Sequence, residues 1–319
     1  MTRSLTGALI ALAALALAAP AAAEPAAVYE RGEVVVEPPP GIQVTSLEVD
    51  NRLGDVRIEG HDHPTVIISA HKRGPDQATV ERLKVSLIPD PNGPVRINTA
   101  ILPGDDPRPI PPGAVRIDLV IRAPRAARVR AQVWNGHLAM AGMENGAELL
   151  ANEGPIQVHN ASGTIVTDAA AGDQQFVEIF GELDARVISG DMDLDTVRGQ
   201  RLAANVHQGR IDGRRVEVRD VWVTVIRGDV RLRGRAVPGG RYRLGSYRGD
   251  VELALTTAGP VSLRAHARAG TISLPAGMRR SPGRVEGSVL GYWPGGSEQP
   301  AAVELRSRVG NIRFSLPQQ

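Results

Sequence analysis

A glycine recurs down this chain at a nearly constant interval, and the residues on either side of it alternate. Within residues 221–255, Val221, Val223 and Val225 alternate with Trp222, Thr224 and Ile226; Gly228 interrupts, and Val230 and Leu232 resume. The statement is made again by Tyr242 and Leu244, Gly249, then Val251 and Leu253. Alternation with period two belongs to a strand with one buried face. A glycine between two such runs marks a bend where a side chain would clash or φ must be positive. From residue 125 onward glycines stand at 136, 146, 154, 163, 172, 181, 190, 199, 209, 228, 249 and 270. Two residues after the stronger ones comes an apolar side chain: Val56, Leu138, Ile156, Met192, Ile211, Val230, Val251, Ile272 and Ile312. The fourth residue is apolar in the same units except at Gly213.

A unit that repeats in this way cannot bury its apolar face alone and stacks on its neighbours. The expected fold is all-β: a single-stranded parallel β-helix, or β-solenoid, with an N-terminal β region. By the crossover rule the coil is right-handed. The expected division is a signal peptide over 1–23, an N-terminal β region over 24–124 with a Pro-rich excursion at 89–112, and solenoid repeats over 125–319. Residues 76–84 fit a short helix and a strand almost equally, while 95–101 and 115–121 read as strands.

Met1-Thr2-Arg3, an apolar run from Leu5 to Ala19 and the small residues Ala21-Ala22-Ala23 have the form of a secretory signal cleaved after Ala23. No later stretch has the length and hydropathy of a membrane-spanning helix, so the mature chain is expected to lack a transmembrane anchor. The expected location is exported: periplasm, outer-membrane surface or extracellular. The chain has no cysteine, which excludes a disulfide framework, a thiolate zinc site, a cysteine nucleophile and a lipoprotein anchor. Formal net charge is +2, too near neutral to indicate a partner.

The run Leu47-Glu-Val-Asp-Asn-Arg-Leu-Gly-Asp-Val-Arg-Ile-Glu-Gly, the strand closing at Ala123-Pro124, the serial Gly-x-apolar-x-apolar units and Gly270-Thr-Ile-Ser-Leu-Pro together resemble the bacterial putative-adhesin family. The resemblance covers about residues 42–316. It implies an exported β-strand-repeat domain at the envelope or surface, and it transfers no catalytic residue. The arginine content and the Pro-rich excursion depart from the family pattern.

Residues 210–248 hold eleven arginines against four carboxylates. A planar guanidinium fork suits phosphate and carboxylate. Arg210, Arg214, Arg231, Arg233, Arg235, Arg241, Arg243 and Arg248, with Trp222, are therefore the candidate ligand-binding face. The alternative for these arginines is a solvated face whose charges pair along the stack, Asp212 with Arg231 and Asp195 with Arg214. Trp222 reads either as an outward contact residue or as a side chain packed under the Pro-rich excursion.

Other motifs point to structure. Asp191, Asp193 and Asp195 share one strand face, but alternate residues lie nearly 7 Å apart, too far for all three to grip one calcium ion. His61, His63 and His71 lack an evident further zinc ligand. No metal or cofactor is expected. Arg227-Gly-Asp229 and Arg248-Gly-Asp250 spell a tripeptide read by animal integrins, yet each falls at a predicted bend, where glycine and aspartate are turn residues. No Gly-x-Ser-x-Gly elbow is present.

The expected function is that of a non-enzymatic envelope or surface protein with an adhesin-like binding role. Its partner would be an anionic glycan, a lipid head group or a protein. An exported chain with ten aromatic residues in all is poorly suited to nucleic acid. The alternative is a polysaccharide-active enzyme, lyase or hydrolase, which requires a groove holding opposed carboxylates.

Overall fold

The computed structural model describes residues 28–37, 43–88, 94–104, 110 and 113–317. The expected signal segment and the parts of the Pro-rich stretch at 89–93, 105–109 and 111–112 lie outside the described residues. The chain is all-β, with twenty-three strands and one six-residue helix among the described residues. The first third carries β1 (Val28–Val36), β2 (Ser46–Asn51), β3 (Val56–His61), β4 (Val66–Gly74), the helix α1 (Gln77–Arg82), β5 (Leu83–Ile88), β6 (Val95–Ile101) and β7 (Arg116–Pro124). The middle carries β8 (Arg128–Asn135), β9 (Leu138–Ala141), β10 (Ala147–Glu153), β11 (Ile156–Ala171), β12 (Gln174–Ser189), β13 (Met192–Gln208) and β14 (Ile211–Arg227). Then follow β15 (Val230–Arg235), β16 (Arg241–Arg248), β17 (Val251–Thr256), β18 (Val261–Ala269), β19 (Ile272–Ser273), β20 (Arg279–Pro282), β21 (Ser288–Trp293), β22 (Ala301–Val309) and β23 (Ile312–Ser315).

The strands form two parallel ladders. The first runs β6–β2–β8–β10–β11–β12–β13–β14–β16–β22–β18. The second runs β7–β3–β9–β11–β12–β13–β14–β15–β17–β23–β19. The long strands β11 to β14 serve both, their first halves in the second ladder and their second halves in the first. The parallel stack crosses residues 124 and 125, since β2 pairs with β8 and β3 with β9. Three of the four ladder ends are covered by antiparallel strands: β5 on β6, and β4 on β7 with β1 on β4, at one end, and β21 on β18 with β20 on β21 at the other. Pairing the last strand with an antiparallel partner removes an open parallel edge, which would otherwise template association.

The order is not sequential at the C-terminal end. β22 lies between β16 and β18, and β23 lies between β17 and β19. The chain leaves a gap one strand wide after β16 and β17, builds β18, β19 and the β20–β21 hairpin, and returns to fill the gap.

The alternation seen in the sequence is the alternation of burial. Val221, Val223 and Val225 point into a core that also takes Tyr242, Leu244, Val303, Leu305, Leu263 and Ala265 from the neighbouring strands. A few inward positions are polar, among them Thr167, Gln174, Ser246 and Ser307. Gln174 is buried two residues after Gly172; it accepts a hydrogen bond from the Thr167 hydroxyl at 2.8 Å and donates to the Arg186 carbonyl at 2.6 Å. A buried amide is tolerated when its capacity is met in this way.

The glycine interval has a steric cause. At Gly209 φ is +139°, and a Cβ there would lie 2.0 Å from the carbonyl oxygen of Gly190, one step below. Glycines 136, 154, 172, 190, 228, 249, 310 and 270 stand in the same column. The aspartates that follow several of them also act between steps. The backbone N–H groups of Asp191, Arg210, Asp250 and Asn311 donate to the carboxylates of Asp173, Asp191, Asp229 and Asp250, at 2.7–3.0 Å. Asp229 and Asp250 are the aspartates of the two Arg-Gly-Asp tripeptides, so each of those motifs is a joint between strands. The short helix α1 settles the ambiguity at residues 76–84: the Asp76 carboxylate accepts the Thr79 N–H at 2.7 Å, capping it, and β5 follows immediately.

Tyr242 is the largest fully buried side chain. Its hydroxyl accepts the Val237 N–H at 2.8 Å, and burial raises its pKa above the ordinary tyrosine value. Above about pH 10 the unfolded chain releases this proton while the folded chain retains it, so stability falls as pH rises past that point. Urea unfolding at pH 8 and pH 11 is expected to show a loss of up to about 1.4 kcal/mol from this group. The Tyr242→Phe variant should be less stable at pH 8 by about 1 kcal/mol and should show a correspondingly smaller alkaline loss. An undiminished alkaline loss in the variant would assign it elsewhere.

Candidate functional site

The strands that carry the arginine-rich stretch present it on two different surfaces. Arg214, Arg231 and Arg233 project from β14 and β15 in the second ladder, with Arg235 at the end of β15. Arg241 and Arg243 project from β16 in the first ladder, with Arg248 at its end, and Arg210 sits at a bend between β13 and β14. The nine candidate residues are therefore not one patch.

On the second ladder the expected registers are present: Asp212 lies opposite Arg231 and Asp195 opposite Arg214. The ion pairs are different ones. Arg231 reaches Asp229 at 3.3 Å, Arg214 reaches Asp212 at 3.6 Å along its own strand, and Asp195 pairs with Arg215. Arg215 has φ +53° at a bend, which swings its guanidinium across to the neighbouring strand; strand alternation alone does not foresee that. Asp193 remains beside other carboxylates. Burial, together with Asp212, Asp191 and Asp173, raises its pKa, against the pull of Arg210.

The first ladder carries a groove of about 1100 Å³ on its outward face. Its floor is at Gly245. The residues opposite Gly245 on the adjacent strands are Thr224 and Arg306. Unlike the bend glycines, Gly245 is not required by the backbone: its φ is not positive, and a Cβ would meet only the Arg306 carbonyl oxygen at 3.7 Å. A side chain would fit, and its absence opens the surface.

Around this floor the walls differ. Towards β14 and β16 stand Trp222, Ile226 and Tyr247, exposed by 57%, 41% and 42%. Towards β22 and β18 stand Glu304, Arg306 and Arg308, then His266 and Arg268. The Arg243 guanidinium lies 5.9 Å from the Trp222 ring, and that of Arg308 lies 4.5 Å from the Tyr247 ring while donating to the Tyr247 hydroxyl. These are cation–π contacts that pre-orient the arginines. Glu304 draws Arg243, at 3.6 Å, and Arg306 to itself. No carboxylate among the described residues lies within 4.0 Å of Arg308 or Arg268.

Trp222 is thus an outward residue, and the expectation that it packs beneath the Pro-rich excursion is overturned: inward places on β14 go to the valines on either side of it. Of the sequence candidates, Trp222 and Arg243 reach the groove. Tyr247, Glu304, Arg306, Arg308, His266 and Arg268 were not candidates. Tyr247 could have been found, as the next outward residue after Arg243 and Gly245 on a period-two strand. The others depend on where β22 is inserted.

No family model matches the chain, and no curated protein matches it. Solved structures similar to it include a putative adhesin from Parabacteroides distasonis, at 10% identity over 90% of this chain and 97% of that one, with a TM-score of 0.41. Another is a putative adhesin from Bacteroides fragilis, at 11% identity over 91% and 98%, with a TM-score of 0.40. A third, named a putative lipid binding protein, also comes from Parabacteroides distasonis, at 11% identity over 89% and 96%, with a TM-score of 0.37. Two of these three structures carry the name putative adhesin. Among the described residues no helix is long and apolar enough to cross a membrane.

Proposed function

We propose that this chain is an exported, non-enzymatic binding protein of the bacterial envelope or surface. Its scaffold is a right-handed parallel β-helix, and the groove over Gly245 holds an anionic envelope component. Support for the β-helix comes from the parallel registers that return about once per pair of glycine bends. Its hand follows from the crossover rule. The stack takes in β2 and β3 from the 24–124 region as well as residues 125–319.

The observation that carries the binding reading is the strand position left empty at Gly245, between exposed aromatic residues and Arg308 and Arg268, which have no carboxylate partner among the described residues. Sugar hydrolysis needs two opposed carboxylates, and among the described residues Glu304 is the one carboxylate lining the groove, held between two arginines. That favours binding over hydrolysis.

The test is co-sedimentation of residues 24–319 with envelope fractions of the source cell at low and high salt. Binding should fall with salt, because exposed charge contacts are screened. It should weaken more than tenfold when Arg243, Arg306 and Arg308 become serine, since charged hydrogen bonds contribute about 1.5–3 kcal/mol each. It should persist when Arg214, Arg231 and Arg233, on the other ladder, become serine. No binding at either salt, or loss only in the second variant, would overturn the proposal.

A further inference from the structure

The two walls of the groove differ in chemistry, and the difference runs along the stack. On β14 and β16 the groove is lined by Trp222, Ile226 and Tyr247, with Thr224 and with Arg243 held against the Trp222 ring and Glu304; on β22 and β18 it is lined by Arg306, Arg308, His266 and Arg268, with Glu304 tied to Arg243 and Arg306. Adjacent strands are about 4.8 Å apart, so the three steps from β14 to β18 span about 14 Å. A ligand lying across Gly245 along this direction meets an apolar surface at one end and guanidinium groups at the other. Gly245 joins the halves: a side chain there would stand between them. A purely polar anion would leave Ile226 and the Trp222 ring uncovered, while a neutral apolar ligand would bury Arg308 and Arg268 without a counter-charge, which is costly.

Resting on the reading of this groove as an anion site, we infer that its ligand is an anionic amphiphile. A phosphate or carboxylate head lies between Arg308 and Arg268, and an alkyl chain crosses Gly245 onto Tyr247, Ile226 and Trp222. Arginine's fork matches either head group, and the aromatic and aliphatic wall gains contact with each methylene.

The test is titration calorimetry of the full mature chain with butyl, hexyl, octyl and decyl phosphate, each below its micellar concentration. Inorganic phosphate, octyl glucoside and dextran sulfate serve as comparisons. Full burial of a methylene corresponds to about a fourfold gain in affinity, so an open groove should give about two- to fourfold per methylene. Octyl phosphate should exceed both inorganic phosphate and octyl glucoside by more than tenfold. Gly245→Leu, which the backbone accommodates, should flatten the chain-length dependence while leaving the circular dichroism spectrum unchanged. Arg268→Ser with Arg308→Ser should abolish the preference for phosphate over glucoside. A flat chain-length series in the unmodified protein, or a slope unaffected by Gly245→Leu, overturns the inference. If dextran sulfate then still binds through Arg308, the anion reading stands without the amphiphile. If no anion binds, both fall. A parallel measurement with vesicles containing phosphatidylglycerol separates a lipid in a membrane from a free alkyl phosphate.

Discussion

Removing residues 297–319 is expected to unfold the chain from β18 onward and leave the remainder of the stack folded. The deletion takes out β22 and β23, whose buried residues Val303, Leu305, Ile312 and Phe314 contribute about 1.5–3 kcal/mol each on burial. The sum approaches the whole stability of an ordinary domain. Because β22 and β23 lie between β16–β17 and β18–β19, their loss opens a gap rather than shortening an end. β18 and its hairpin then have no partner within hydrogen-bonding distance. In stacked arrays each unit depends on its neighbours; β16 and β17 keep their pairing with β14 and β15, so residues 46–256 should keep their structure. Limited proteolysis read by mass spectrometry should place new cleavages after residue 256, with strong protection before it. Uniform protection throughout would mean that β18 can close directly on β16.

The second large effect is expected at the glycine column. Gly209→Ala places a Cβ 2.0 Å from the Gly190 carbonyl oxygen at a φ of +139°. The obstructing atom is backbone of the next step, so relief requires the strands to part and break the ladder hydrogen bonds on either side. A backbone conformation of this kind costs about 1–3 kcal/mol for a residue with a Cβ. With the lost hydrogen bonds, the total should reach about 3–5 kcal/mol. Gly245→Thr is the matched comparison: no positive φ, ordinary contact, and a β-branched residue in a strand. It should change stability by less than about 1 kcal/mol, or raise it. Urea unfolding of the two variants checks both. Equal costs would show that the glycine column is not a steric requirement.

Much of this could be read from residues because its causes are local. The Gly-x-apolar-x-apolar pattern names the bend and the inward positions on one short segment, and Val230, Leu232, Val251 and Leu253 are buried as that pattern requires. β6 begins and ends at the expected residues. Gln174 escaped the pattern because its inward place depends on Thr167, on β11, and on the Arg186 carbonyl, twelve residues along its own strand past a bend. The ion pairs were misassigned for a related reason. Opposite positions give the register, but a guanidinium reaches several carboxylates, and the bend at Arg215 decides which.

By itself, the sequence determined that the chain is all-β, where it bends, and which side of each strand faces inward, since steric exclusion at glycine and the two-residue period act within a few residues. Which strand lies beside which at the C-terminal end was decided only by the tertiary structure. Val303 and Leu305 alternate just as Leu263 and Ala265 do, so either pair fits the place beside Tyr242 and Leu244. Packing of the whole end, with the β20–β21 hairpin against β18, gives that place to β22. The groove follows from the same choice, because only with β22 inserted do Arg306 and Arg308 stand opposite Gly245 and Tyr247.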